Sequence, residues 1–200
     1  SFAAARILLN CIYKEVFKEG VDSDVFDLQY RKSFIQNTKH LVANNRLDKR
    51  LLDFDLKELS DSLVLDNDLK FKYLGIQTLT DRYFIRENDK IMEAPQCFWM
   101  RVAMGLSINE KEKNKKAIEF YNLMSSLLYT PSTPTLFNSG TTHSQLSSCY
   151  LNTFDDSIDG IFDGAWQEAR KSKFAGGLGL DVTPFRSTGS HIEGTNGISS

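Results

Sequence analysis

The feature that most constrains this chain is a switch in its apolar spacing near Thr130. Up to about residue 128, apolar residues recur every three or four positions, the period of a helix with one buried face. Phe2, Ala5, Leu9, Ile12, Tyr13 and Val16 predict a helix over 2–18, which Gly20 stops. Phe26, Phe34, Ile35 and Leu41 predict a second over about 26–46, and Leu56, Leu59 and Leu63 a third over 55–65. "YFIREN" and "KIMEA" flank Asn88-Asp89 and predict a short hairpin within 83–94. Pro95 suits the first turn of a helix through "QCFWMRVAMGL". Asn109 is expected to cap a long helix with Ala117, Phe120, Tyr121, Met124, Leu127 and Leu128 on its apolar face, and the run Glu110–Lys116 reads as solvated. Cys11 and Cys97 sit among apolar helical residues and are expected to be packed, inert thiols.

After Thr130 the chain turns to hydroxyls, amides and glycines. "LSSCYLN" predicts a strand, and "DDSIDGIFDGAWQEARKSK" a capped amphipathic helix with Ile158, Ile161, Phe162, Ala165 and Ala169 inward. "GLGLDVT" predicts a second strand. Strand, helix and strand at this spacing fit a βαβ-like unit. The fold class is therefore α/β, with a mainly helical domain over 1–128 and a strand-bearing domain over 129–200.

Composition narrows the function classes. The 200 residues are 41% hydrophobic and 25% charged, an ordinary globular balance, with a net charge of −2. No basic excess points to nucleic acid or a membrane surface. No apolar run approaches the roughly 18 residues a membrane helix needs, and no leader or Asn-x-Ser/Thr acceptor is present. Three cysteines at wide spacing, Cys11, Cys97 and Cys149, fit neither a disulfide framework nor a C-x-x-C metal site. The expectation is a reduced, cytoplasmic protein. The opening "SFAAARILLN" and the closing "GSHIEGTNGISS" read as cut edges, so a piece of a longer polypeptide is expected.

Candidate chemistry gathers after residue 130. A strand cysteine is ordinarily core. Cys149, however, follows Ser147 and Ser148, and a thiol beside hydroxyl donors suits redox chemistry, which would need a second thiol. Neither Cys11 nor Cys97 is placed for that. Asp156 in "DDSI" is a helix N-cap in the plainer reading. In the sharper one, a nucleoside sugar donates hydroxyls to Asp156 while phosphates reach outward to Lys173 and Arg186, cations beside glycine-containing turns. "AGGLGL" is neither a P-loop nor a dinucleotide fingerprint. His191, in the glycine loop "TGSHIEGTNG", is expected to be exposed rather than catalytic. No metal-ligand spacing and no Ser/His/Asp set is legible.

Together, "STPTLFNSGT…QLSSCYL", "DDSIDGIFD", "KSKFAGGLGLDV" and "RSTGSHIEGTNG" resemble, in order and spacing, the catalytic alpha subunit of ribonucleotide reductases, most closely the class I type. "LGIQTLTDRYFIRENDKIMEAPQCFWMRVAMGLS" is similar to that family's N-terminal helical region. The resemblance implies a helical region followed by the first strands of a ten-stranded α/β barrel. It implies reduction of ribonucleotides by thiyl-radical chemistry, with Cys149 as one thiol of the reducing pair. Thr133, Ser148, Cys149 and Gly177 would contact the substrate nucleotide. Asp156, Ser157, Ile158, Lys173, Arg186, Ile192, Glu193 and Gly194 would hold a dNTP effector. No cofactor is expected on this chain itself; ATP and dNTP act as effectors. The implied partners are a radical-generating, dimetal-containing beta subunit, thioredoxin or glutaredoxin, a second alpha copy and the remainder of the alpha polypeptide. The family's radical cysteine, second redox cysteine, acid/base Asn and Glu, and relay tyrosines lie further along, so these 200 residues alone are expected to be inactive. The adenosylcobalamin-dependent class and a non-catalytic dNTP-binding or dimerisation module are the alternatives.

Overall fold

A computed structural model describes residues 1–18, 20–173 and 176–199. It divides into two compact units, Ser1–Leu146 and Ser147–Ser200. The compositional change at Thr130 falls inside the first unit. Among the described residues, no helix is long and apolar enough to cross a membrane.

The first unit is mainly helical. Helix α1 (Phe2–Phe17) buries Ala5, Leu9, Ile12 and Val16 at helical spacing, and its chain reverses through Lys18 at φ 64° and Gly20 at φ 83°. Cys11 lies off that buried stripe and is exposed, so the expectation that it is packed fails, while Cys97 is buried as expected. Helix α2 (Phe26–Ala43) stops short of residue 46 because the N–H groups of Arg46 and Leu47 both turn back to the Leu41 carbonyl. Asn45 then takes φ 55°. Helix α3 (Leu56–Asp61) starts at Asp55, whose carboxylate accepts from the N–H groups of Lys57 and Glu58. Leu56, Leu59 and Leu63 are buried together.

Helix α4 (Tyr73–Arg82) leads into a hairpin of β1 (Arg86–Glu87) and β2 (Lys90–Ile91). Its central Asn88 and Asp89 sit at φ 50° and 64°, the pair of positive values a tight hairpin turn requires. Helix α5 (Pro95–Ser107) has proline in its first turn and is buried along most of its length. Helix α6 (Lys113–Ser125) packs on it. Asn109 does not cap α6: the chain makes a turn after Ser107, with the Glu110 N–H on the Ser107 carbonyl, and the helix begins three residues later than expected, with Glu112 in the N-cap position. The apolar face of α6 also ends early. Ala117, Tyr121 and Met124 are buried, but Leu127 takes φ 64° beyond the helix end, and it and Leu128 are exposed.

A polar network runs through this core. Asp68 is buried and accepts from Tyr13 Oη at 2.6 Å, Tyr30 Oη at 2.8 Å and Gln96 Nε2 at 2.7 Å. Tyr121 Oη donates to Gln96 Oε1 at 2.7 Å. Burial raises the Asp68 carboxyl to about 6 against the opposing pull of these donors, and pushes all three tyrosine hydroxyls up as well.

The hydroxyl-rich stretch after Thr130 forms the short helix α7 (Thr133–Asn138) and a loop fastened to the helical core. Ser139 Oγ donates to the Val102 carbonyl at 2.7 Å and Thr142 Oγ1 to the Asn45 carbonyl at 3.1 Å. Thr135 Oγ1 holds the Leu146 carbonyl at 3.1 Å, and Asn138 Nδ2 the Gln145 carbonyl at 2.8 Å. Most of these small polar groups therefore satisfy backbone in a segment that lacks regular structure.

The second unit is a βαβ arrangement. Strand β3 (Cys149–Thr153) pairs in parallel with β4 (Gly177–Asp181), and helix α8 (Ile158–Lys173) makes the crossover. Gly164 is the contact point of α8 with the Phe154 ring: a Cβ there would lie 2.5 Å from the ring. Asn152 Nδ2 donates to Glu168 Oε1, which also takes Lys171 Nζ at 3.1 Å. The face of α8 expected to be inward is not covered. Ile158 is 75% and Phe162 71% exposed, while Gly164 and Glu168 are the buried positions. A two-stranded sheet covers only the strip of helix directly above it.

Candidate functional site

Three of the sequence-selected residues meet at the leading end of the parallel pair. Cys149 is the first residue of β3 and stands opposite Gly177, the first residue of β4. The Gly177 N–H donates to the Ser148 carbonyl at 2.8 Å, and a Cβ on Gly177 would approach that oxygen to 3.1 Å. Ser148 precedes the strand, so strict alternation of side chains does not apply to it. Its Oγ donates to Cys149 Sγ at 3.6 Å. Cys149 is free and exposed. The result is an accessible thiol with a hydroxyl beside it and a paired strand without a side chain opposite, and accessibility is one condition for thiol–disulfide exchange. Thr133 belongs to the first unit, at the start of α7, with Oγ1 3.1 Å from Tyr83 Oη.

The second group lies at the trailing end of β3, where the chain enters α8. Ser157 Oγ accepts from the Gly160 N–H at 3.0 Å, so this hydroxyl caps the helix. Ile158, the first helical residue, is exposed. Asp156 Oδ2 accepts from Arg186 Nε at 2.6 Å and from the Arg186 backbone N–H at 3.2 Å. Arg186 Nη2 donates to the Asp156 carbonyl at 3.2 Å and Nη1 to the His191 carbonyl at 3.3 Å. Arg186 thus joins the β3–α8 turn to the glycine loop. In that loop the Ile192 N–H meets the Gly197 carbonyl at 3.0 Å, and the Thr195 N–H meets the Ile192 carbonyl at 3.1 Å. Gly194 supplies φ 76° between them, with Glu193 beside it at the exposed tip, and His191 is exposed as expected.

Lys173 is not with this group. It ends α8, and the 16 residues of that helix span about 24 Å at ~1.5 Å each, so one chain cannot place Lys173 beside Asp156. Periodicity alone could have excluded the pairing. Ala175, the start of "AGGLGL", lies outside the described residues. Sequence reading passed over the Asn152–Glu168–Lys171 cluster that seats α8 on the sheet; its signal was Gly164, Glu168 and Lys171 at i, i+4 and i+7 of one helix face.

Comparison with known sequences follows the division of the chain. Residues 69–144 match the ribonucleotide reductase all-alpha domain, and residues 147–200 match the ribonucleotide reductase barrel domain. The ribonucleoside-diphosphate reductase subunit alpha of Chlamydia trachomatis is 47% identical over 100% of this chain and 19% of its own length. The large subunit from Danio rerio is 41% identical over 98% of the chain and 24% of its own length. That of monkeypox virus is 39% identical over 98% and 25%. The chain therefore spans about a fifth to a quarter of the length of these relatives. A helical unit that gives way to a parallel βαβ unit where the all-alpha match gives way to the barrel match leaves one assignment: the chain belongs to the ribonucleotide reductase large-subunit family.

Proposed function

We propose that this chain is the part of a ribonucleoside-diphosphate reductase alpha subunit that supplies one redox thiol and the dNTP effector site. The observation that carries the reading is the placement of Ser148, Cys149 and Gly177 at one end of a parallel strand pair, with Asp156, Ser157 and Arg186 beyond the other end of β3. The reaction replaces a ribose 2′-hydroxyl by hydrogen. The hydroxyl departs as water, and two thiols give up two electrons and become one disulfide. Cys149 is one of these thiols; its partner thiol, and the cysteine that carries the initiating radical, lie outside this chain. Ser148 positions substrate and thiol together, and such positioning supplies much of an enzyme's rate. Gly177 leaves room for the ligand to approach backbone.

In this reading the effector's sugar meets Asp156 and its phosphates meet Arg186, with Ile192, Glu193 and Gly194 as the responsive loop. The exposed apolar residues Ile158, Phe162 and Trp166 on α8 support contact with a second alpha copy. A radical-generating beta subunit and a thioredoxin-type reductant complete the system. Replacing Cys149 by Ser in the complete polypeptide is expected to abolish multi-turnover reduction with thioredoxin; retained turnover refutes the role. Titration with dTTP is expected to show binding that Asp156→Ala and Arg186→Ala each weaken.

A further inference from the structure

The effector reading, on which this inference rests, asks Asp156 to accept from a sugar and Arg186 to meet phosphates. In the structure the two hold each other. Arg186 commits Nε and its own N–H to Asp156 Oδ2, Nη2 to the Asp156 carbonyl and Nη1 to the His191 carbonyl. Each side-chain nitrogen of Arg186 thus gives one of its N–H groups to a protein oxygen, three of the five donors that could grip a phosphate.

We propose that this contact is an internal clasp, and that an effector binds by exchanging it for contacts to both halves of the nucleotide. A bare polyphosphate that takes Arg186 leaves the Asp156 carboxylate with its partner gone and a second anion nearby. A nucleotide takes the same guanidinium and returns a sugar hydroxyl to Asp156. The clasp therefore makes recognition of sugar and phosphate a single event and discriminates against free polyphosphate. Its opening also removes the Nη1 bond to His191, the residue that pairs with Ile198 across the base of the glycine loop, so occupancy is passed to residues 192–197.

The test is a double-mutant cycle on the complete polypeptide. Dissociation constants for inorganic tripolyphosphate and for dTTP are measured by calorimetry at fixed salt for the parent, Asp156→Asn, Arg186→Gln and the double variant. Asp156→Asn is expected to bind tripolyphosphate about tenfold more tightly than the parent, a difference well within calorimetric reach. That gain is expected to vanish when Arg186 is Gln. Binding of dTTP by Asp156→Asn is expected to weaken instead, because the sugar loses its acceptor. Unchanged or weaker tripolyphosphate binding by Asp156→Asn overturns the clasp. So does an equal gain in the Arg186→Gln background, which marks a general field effect. Asp156→Ser gives a second route to the same cycle should the amide variant fold poorly. Failure of the parent to bind dTTP, with the tripolyphosphate arms as expected, overturns the effector reading while supporting the clasp.

Discussion

Arg101 Nε donates to Glu93 Oε1 at 2.5 Å with the two side chains only 3% and 4% exposed, and Arg101 Nη1 holds the Ser139 carbonyl at 2.6 Å. Arg101 thereby pairs with Glu93 just ahead of α5 and, through another nitrogen, ties the helix to the segment that follows α7. Removing one partner of such a pair leaves an uncompensated buried charge, which costs about 3–5 kcal/mol. Arg101→Met is expected to destabilise the first unit by that order and to free the 139–146 segment. Hydrogen exchange at the α5 amides and proteolysis within 139–146 measure the two effects; protection equal to the parent's counts against the tie.

Gly105 is where α5 meets the Ser139–Gly140 backbone. A Cβ there would lie 2.1 Å from the Gly140 nitrogen and 2.7 Å from the Ser139 carbonyl carbon. Those atoms are main chain and cannot rotate away. Gly105→Ala is expected to cost about 1–3 kcal/mol through overpacking, despite alanine's better helix propensity. A lowered denaturant midpoint checks it, and an unchanged or raised midpoint contradicts the close approach.

Asp68 gives the first unit an unusual pH response. Its carboxyl is raised from 3.8 to about 6 by burial, so between those values the folded state binds a proton that the unfolded state has lost. The group's contribution is then fully favourable below about pH 4 and falls as pH rises toward 6, by about 3 kcal/mol at ~1.4 kcal/mol per unit. Asp68→Asn is expected to flatten that slope. The comparison is α5 amide exchange at about pH 4.5 and pH 7 in parent and variant; equal slopes would remove Asp68 as the cause.

The thiols are expected to separate in native labelling with iodoacetamide. Cys11 and Cys149 are exposed, whereas burial pushes the Cys97 thiol well above its ordinary range. Mass spectrometry should find the first two modified and Cys97 protected until the core opens. Early modification of Cys97 would contradict its burial.

Helix positions were legible because apolar periodicity reports which face a helix buries, as at Ala5, Leu9, Ile12 and Val16. The hairpin was legible because few dipeptides besides Asn88-Asp89 tolerate two positive φ values in succession. The parallel βαβ unit followed from spacing. Periodicity was silent on what fills the facing side, so Cys11 and the Ile158–Phe162 face of α8 were both assigned inward and are both exposed. It was equally silent on helix ends, where local hydrogen bonds decide between near-equal starts such as Glu110 and Lys113.

By itself the sequence determined most element types, though not helices α4 and α7, together with the order of helical and βαβ units and the family, since these rest on local spacing and on motifs contiguous in the chain. The tertiary structure decided how the polar groups are used. It assigned most hydroxyls between 132 and 146 to holding backbone, set Lys173 a helix length from Asp156, and closed Arg186 onto Asp156 across 30 residues. Hydrogen bonds between residues far apart in the chain exist only once folding has brought them within about 3 Å, and no spacing rule along the chain encodes them.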